Sequence, residues 1–251
     1  MRFQDYLELW RVSSRRTRSE QDYRQFQRFQ ASLLLEYLGH HDVNVRDLCI
    51  LDLGSGVAGY SQTMVAAGAR VVSLDLVQPR ISPVIGLGQI RASALEIPLP
   101  AESVDFVFCA SLIEHVANPE GALSEALRVL RSGACAYFSF PPYYSPRGGH
   151  EYAPYHYLGE KAALRLVQHR SVLPIWVSRM HNASEVPASF AELYRGWGLY
   201  RMTIRKFRRL LRKTHFVVLD ISTRYMPVSF VRWPLLGELL TWHAQFLLKK
   251  P

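Results

Sequence analysis

From residue 48 onward, short apolar runs alternate with amphipathic stretches, and Gly, Pro, Asn or Asp punctuates the joins. That alternation builds a parallel sheet from strand–helix–strand units. LCILDL (48–53) reads as a buried strand, and YSQTMVAAG (60–68) as a helix stopped by Gly68. ARVVSLDL (69–76) is a second strand carrying Asp75 at its end, GQIRAS (88–93) a weaker third, and VDFVFCAS (104–111) a fourth. Asn118, Pro119 and Glu120 supply an N-cap, a first-turn proline and a first-turn acid for a helix over GALSEALRVL (121–130), which ends at Gly133. ACAYFSF (134–140) is a fifth strand, Thr203 caps a basic helix, and FVVLDIS (216–222) and HAQFLLKK (243–250) complete the sheet. The expected fold class is α/β, with a doubly wound seven-stranded sheet.

Two regions stand outside the alternation. Residues 1–47 are expected to form an N-terminal helical segment packed on the core, with FQRFQASLLLEYL (26–38) its stronger helix. Residues 48–140 and 201–251 make the core itself. Residues 141–200 interrupt it with a stretch rich in tyrosine and histidine, far longer than an ordinary connection, which points to a functional lid.

Composition excludes some classes. Hydrophobic residues at 49% and charged residues at 20% describe a globular chain rather than a disordered one. Cys49, Cys109 and Cys135 lie far apart in apolar runs, so they read as buried free thiols in a reducing compartment. The segment MRFQDYLELW carries Asp5 and Glu8 and lacks an apolar signal core, so a cytoplasmic location is expected. The most apolar long stretch, 228–248, is broken by Arg232, Pro234, Glu238 and His243, so no transmembrane segment is expected. The net charge of +9 is concentrated at Arg11, Arg15, Arg16 and Arg18 and in RMTIRKFRRLLRK (201–213). Such patches attract nucleic acid, anionic membrane or phosphorylated substrates. The second is equally the solvated face of a helix that buries Ile204, Phe207, Leu210 and Leu211.

In LDLGSGVAGYS (51–61), Gly54, Gly56 and Gly59 have GxGxxG spacing. Ligands of open α/β sheets sit beyond the carboxyl ends of the strands, which gathers the 53–59 loop, Asp75, Ser93, Ala94, Ala110 and Ser111 around one crevice. A carboxylate at Asp75 suits ribose hydroxyls, whether of a nicotinamide dinucleotide or of S-adenosylmethionine. Asp52 separates the two. Beside a pyrophosphate it would be a like charge with a desolvation cost, whereas S-adenosylmethionine brings an ammonium and a sulfonium. The carboxylate of that cofactor would lie on the backbone N–H groups of the loop and helix start.

The chain resembles class I S-adenosylmethionine-dependent methyltransferases of the type 11, ubiquinone-biosynthesis-like group. The matching stretches are LDLGSGVAGYS (51–61), VVSLDL (71–76), ASALEIPLPAESVDFVFCASLIEHVANP (92–119), ALRVLRSGACAYFSF (126–140) and TIRKFRRLLRKTHFVV (203–218). The resemblance implies a Rossmann-like sheet with an antiparallel last strand, S-adenosylmethionine as cofactor and S-adenosylhomocysteine as product. It puts Gly54, Ser55 and Gly56 at the methionine end, Asp75 on the ribose with Leu76 beside it, and Ser93 and Ala94 around the adenine. Ala110 and Ser111 would pass beneath the cofactor. Two positions depart from the family pattern: Ser93 stands where Asp is frequent, and His215 replaces a glycine before the sixth strand.

Methyl transfer to oxygen needs a base within hydrogen-bond reach. The candidates are His150, in RGGHEYAPYHYLG after the fifth strand, and His115, in LIEHV after the fourth. His150 with the adjacent Glu151 is too small a set for a metal, and no metal site is expected. FPPYY (140–144) resembles the Pro-Pro-aromatic motif of nucleic-acid amino-methylating enzymes, but Phe140 replaces the polar residue that motif needs. The expected function is therefore O-methylation of a small molecule or of a glycan- or lipid-linked precursor bound by the 141–200 region. The alternatives are a non-catalytic S-adenosylmethionine- or RNA-binding protein using the basic faces, and a nicotinamide oxidoreductase.

Overall fold

The structure is a computed structural model that describes residues 2–77, 84–168, 189–192, 198–234 and 236–251. Helices α1 (Phe3–Arg15) and α2 (Glu20–Gly39) precede strand β1 (Cys49–Leu53), helix α3 (Gly59–Ala66), and strands β2 (Arg70–Asp75) and β3 (Leu87–Arg91). Strand β4 (Val104–Ala110), helix α4 (Pro119–Val129) and strand β5 (Leu130–Phe140) follow. After α5 (Glu160–Gln168) come α6 (Ile204–Lys213), β6 (Val217–Thr223), α7 (Leu236–Leu240) and β7 (Ala244–Lys249).

The sheet has seven strands in the order β3-β2-β1-β4-β5-β7-β6. Strands β1 to β5 pair in parallel, and β7 runs antiparallel between β5 and β6. This is the Rossmann-like arrangement with one reversed strand. The order turns between β1 and β4, so the loops after those two strands diverge and leave a crevice.

Central strands buried on both faces read as nearly continuous apolar runs. Their alternate residues divide between two layers. Leu51, Leu53, Val107 and Phe138 face Leu123 and Ala126 of α4 and Phe207 of α6. Ile50, Phe106, Phe108 and Tyr137 face Leu34 and Leu38 of α2 and Tyr60 and Met64 of α3. Helix α6 buries Ile204, Phe207, Leu210 and Leu211, and Thr203 caps it by accepting from the Lys206 amide at 3.0 Å. Its basic residues 205, 206, 208, 209, 212 and 213 are exposed, and Lys213 pairs with Glu120. An amphipathic helix on a sheet accounts for the charge run. No described helix is long and apolar enough to cross a membrane.

The structure departs from the sequence pattern in three places. Helix α4 stops at Val129, not at Gly133, because fully buried Leu130 already pairs with Val104 as the first residue of β5. Gly133 sits within that strand at φ +76°, its amide donating to Lys250 O. Helix α7 was not expected; its Glu238 carboxylate accepts from the Ile204 and Arg205 amides, at 3.0 and 2.9 Å, and so caps α6. Of the three free cysteines only Cys109 is fully buried; Cys49 and Cys135 are half-buried. Residues 169–188 and 193–197 of the 141–200 insertion lie outside the described residues.

Candidate active site

The glycine loop is shaped by its neighbours. Gly54 and Gly56 have φ of +80° and +53°, a region costly for residues with a Cβ. A Cβ on Gly54 would also stand 2.9 Å from Leu112 Cβ in the loop after β4. Gly59 answers to a different demand. Its Cβ would approach Gln27 Cβ to 2.5 Å and Arg24 O to 2.7 Å, so the third glycine lets α2 pack onto the start of α3. Gln27 then accepts from the Gly59 amide at 2.9 Å.

The loop amides are engaged within the protein. Gly54 and Ser55 donate to Leu74 O, at 2.8 and 3.2 Å, and Gly56 donates to Asp75 Oδ2 at 2.8 Å. These partners, with Gln27 on Gly59, occupy four of the loop and helix-start amides expected to hold the ligand carboxylate. The Ser55 hydroxyl, by contrast, is buried and has no hydrogen-bond partner among the described residues. Asp75 sits half-buried at the end of β2, holding the Gly56 amide with one oxygen and the Val77 amide, at 3.0 Å, with the other. Leu76 beside it is exposed.

Asp52 does not line the crevice surface. It is 1% exposed on β1, and its carboxylate accepts from Ser61 Oγ at the first turn of α3. Burial pushes the Asp52 carboxyl up to about 7, against the pull of the Ser61 hydrogen bond. The acid fixes helix to strand beneath the loop. On the far wall, Ser93 Oγ accepts from the Leu95 amide at 3.1 Å, and Ala94 is buried. Ala110 is half-buried at the end of β4, and Ser111, at φ +53°, donates its amide to Ser139 O.

Three side chains converge beyond β4 and β5. Glu114 and His115 lie in the short turn Ile113–His115, which the 198–200 segment pins: Tyr200 N donates to Glu114 O at 2.8 Å. His150 follows a compact turn in which a Cβ on Gly148 would meet Pro142 O at 2.1 Å, and one on Gly149 the His156 ring at 2.3 Å. Those close approaches explain the Gly-Gly pair and hold His150 at φ +49°. His150 Nε2 is 3.7 Å and His115 Nε2 3.9 Å from Glu114 Oε1, and the two imidazoles meet edge to face.

Burial raises the Glu114 carboxyl to about 8, its own backbone amide opposing, and lowers His115 to about 3, helped by the neighbouring His150. His115 Nδ1 stands 2.7 Å from Gly198 O, which fixes its proton there and turns Nε2 toward Glu114. So deeply buried an imidazole is a poor proton acceptor. His150 is the more exposed of the two histidines. Sequence reasoning named both and missed Glu114, whose only signal was an acid inside an otherwise apolar turn.

A second unforeseen feature supports the floor of the site. Buried Arg224 donates to Ser139 Oγ at 3.1 Å and to Tyr60 OH at 2.9 Å, and Tyr60 donates on to Gln30 of α2 at 2.8 Å. This network ties β5, α3 and α2 together. Tyr143 and Tyr152 of the aromatic-rich stretch are buried in a small core with Leu164 and Phe190, so they are not open faces for a ligand.

A Rossmann-like sheet with its reversed strand and a glycine loop facing an acid at the end of β2 defines a methyltransferase-type fold. Residues 51–138 match the family model described as a methyltransferase domain, which supports a class I S-adenosylmethionine-dependent methyltransferase. A relative named as an uncharacterised methyltransferase of Mycobacteroides abscessus is 31% identical over 150 residues, 56% of this chain and 54% of the relative. One of Mycolicibacterium vanbaalenii is 31% identical over 129 residues, 49% of this chain and 51% of the relative. The chain thus spans about half the length of the curated relatives it matches. Among solved structures, an S-adenosylmethionine-dependent methyltransferase from Mesorhizobium loti superposes with a TM-score of 0.57 at 18% identity, covering 86% of this chain and 96% of that one. A Burkholderia thailandensis 1,6-didemethyltoxoflavin N1-methyltransferase, solved with S-adenosylhomocysteine, gives 0.52 at 16% identity, with 88% and 76% covered. At such identities the likeness is one of fold.

Proposed function

We propose that the protein transfers a methyl group from S-adenosylmethionine to an oxygen of a small molecule or of a glycan- or lipid-linked precursor. The observation that carries the cofactor reading is Ser55, a buried hydroxyl without a partner among the described residues, flanked by two glycines in left-handed conformation. Gly54, Ser55 and Gly56 line the methionine end, Asp75 and Leu76 the ribose, and Ser93 and Ala94 the adenine. Gly59 and Asp52 hold the loop from behind, and Ala110 and Ser111 form the floor. The cofactor supplies an activated methyl on a sulfonium. The protein's part is alignment and exclusion of water, to which residues of the 141–200 stretch contribute from the acceptor side.

His150 stands on the acceptor side of the methyl group and orients the acceptor's hydroxyl. Its neighbours Glu114 and His115 keep it oriented. The basic face of α6 is explained by helix packing, so a nucleic-acid role has no further support.

Calorimetric titration with S-adenosylhomocysteine and with NAD tests the cofactor. Saturable binding of the first and none of the second is expected; the reverse would restore an oxidoreductase. Mass spectrometry of a cell extract incubated with labelled S-adenosylmethionine and the protein then reads the acceptor. Binding without any label transfer would point to a cofactor-binding protein that is not an enzyme.

A further inference from the structure

Glu114 poses a problem that the methyl-transfer reading does not solve. Glu114 is 1% exposed and, among the described residues, neither of its carboxyl oxygens has a hydrogen-bond partner, an arrangement that costs free energy unless the group stays neutral or a cation joins it. Two imidazoles lie beside it, at 3.7 and 3.9 Å from Oε1. One carboxylate oxygen of Glu114 and one ring nitrogen each of His115 and His150 lie within 4.8 Å of one another.

The orientation of these groups is that of ligands. Where a histidine binds a metal, its other ring nitrogen is usually held by a carbonyl or carboxylate, which fixes the tautomer. His115 has this arrangement, with Nδ1 at 2.7 Å from Gly198 O and Nε2 toward Glu114. His150 Nδ1 is 3.4 Å from Gly148 O, and its Nε2 also turns to Glu114. The backbone supports the set independently: Gly198 N and Tyr200 N donate to His115 O and Glu114 O, and His150 is held in a left-handed conformation by its tight turn. A non-glycine residue kept at φ +49° is the kind of local strain that clusters at functional sites.

We propose that Glu114, His115 and His150 form a binding site for one divalent first-row transition-metal cation. One carboxylate oxygen and two neutral imidazole nitrogens suit zinc and its neighbours, with ligand distances of about 2.0–2.2 Å. The two separations to Glu114, 3.7 and 3.9 Å, are near those of tetrahedral ligation, and all three donor atoms lie within 4.8 Å of one another, so ligation draws them inward around the cation. Three protein ligands leave at least one coordination position open, as in catalytic rather than structural sites. A bound cation gives ionised Glu114 its partner. That the open position receives the acceptor's oxygen rests on the methyl-transfer reading; the binding itself does not.

The test uses the full chain after treatment with a chelator, without cofactor or acceptor. Titration with Zn²⁺ by calorimetry should show one equivalent bound per chain, and Co²⁺ should develop a visible d–d absorption. Glu114→Gln and His150→Ala should each weaken Zn²⁺ binding by more than the roughly 10–100-fold typical of losing an outer partner of a ligand. A His40→Ala, His41→Ala double variant, at an exposed pair of histidines, should bind as wild type does. If Glu114→Gln fails to fold, the half-buried His150→Ala carries the comparison. Affinity unchanged in His150→Ala, or the absence of a stoichiometric Zn²⁺ event in wild type, overturns the proposal. Separate titration of the metal-free protein with S-adenosylhomocysteine distinguishes failure of the metal site from failure of the cofactor reading.

Discussion

Replacing Asp75 separates two jobs that one carboxylate performs. In the ligand-free protein its oxygens accept from the Gly56 and Val77 amides, at 2.8 and 3.0 Å, so it braces the glycine loop before any ligand arrives. In the proposed complex it also accepts from the ribose hydroxyls. A hydrogen bond to a charged group contributes about 1.5–3 kcal/mol, so Asp75→Ala should weaken S-adenosylhomocysteine binding by roughly 10- to 150-fold. Part of that loss would come from a loosened loop, and calorimetry on one ligand cannot divide it. A double cycle can. Wild type should lose affinity for an S-adenosylhomocysteine analogue lacking the ribose 2′-hydroxyl, and Asp75→Ala should bind the two ligands nearly alike. If the losses from protein and ligand changes simply add, Asp75 acts through the loop alone and the ribose contact is refuted.

Three further outcomes follow from the same geometry. Asp52 has its folded pKa raised from 3.8 to about 7, so the stability it contributes is complete below pH 3.8 and is lost as pH rises to about 7. Against Asp52→Asn, ligand-free wild type should therefore lose at most about 4 kcal/mol across that window in urea unfolding; parallel pH profiles would contradict the buried, Ser61-bound acid. Gly59→Ala should lower stability by about 1–3 kcal/mol by pushing α2 away, whereas Gly39→Ala, which meets nothing within 4 Å, should be neutral or stabilising; equal thermal midpoints would sink the packing argument. His215 is exposed at φ +61°, just past the end of α6, where the family pattern has glycine. His215→Gly should raise stability by about 1 kcal/mol without altering cofactor affinity, and a lower melting temperature would show that the imidazole makes contacts worth more than the strain.

The fold was legible because its signals are local. Each central strand is an apolar run ending in a turn residue, and the caps at Asn118 and Thr203 accept from the amides expected of them, those of Gly121 and Lys206. Where the reading slipped, a long-range pairing overrode a local cue. Gly133 looks like a helix stop, yet Leu130 leaves the helix three residues earlier because its side chain fills the core beside Val104. Helix α7 is five residues long, too short for any periodicity to show.

The candidate site was legible where glycine spacing marks backbone geometry and obscure where burial decides the chemistry. GxGxxG located the loop, but it assigned all three glycines to a ligand when Gly59 serves the contact with α2. Asp52 looked like a ligand-facing acid because sequence cannot tell which side of a strand end a carboxylate takes; Ser61, nine residues on, holds it on the buried side. Glu114 escaped for the same reason. In LIEHV it has the spacing of an ordinary turn acid, and nothing in the string says that it is buried with two imidazoles from segments 35 residues apart. What the string did contain was the Gly-Gly before His150. Read as freedom for the backbone to approach a ligand, it singled out His150 for a reason that the structure replaces. The glycines admit the carbonyl of Pro142 and the ring of His156, and that packing aims His150 at Glu114.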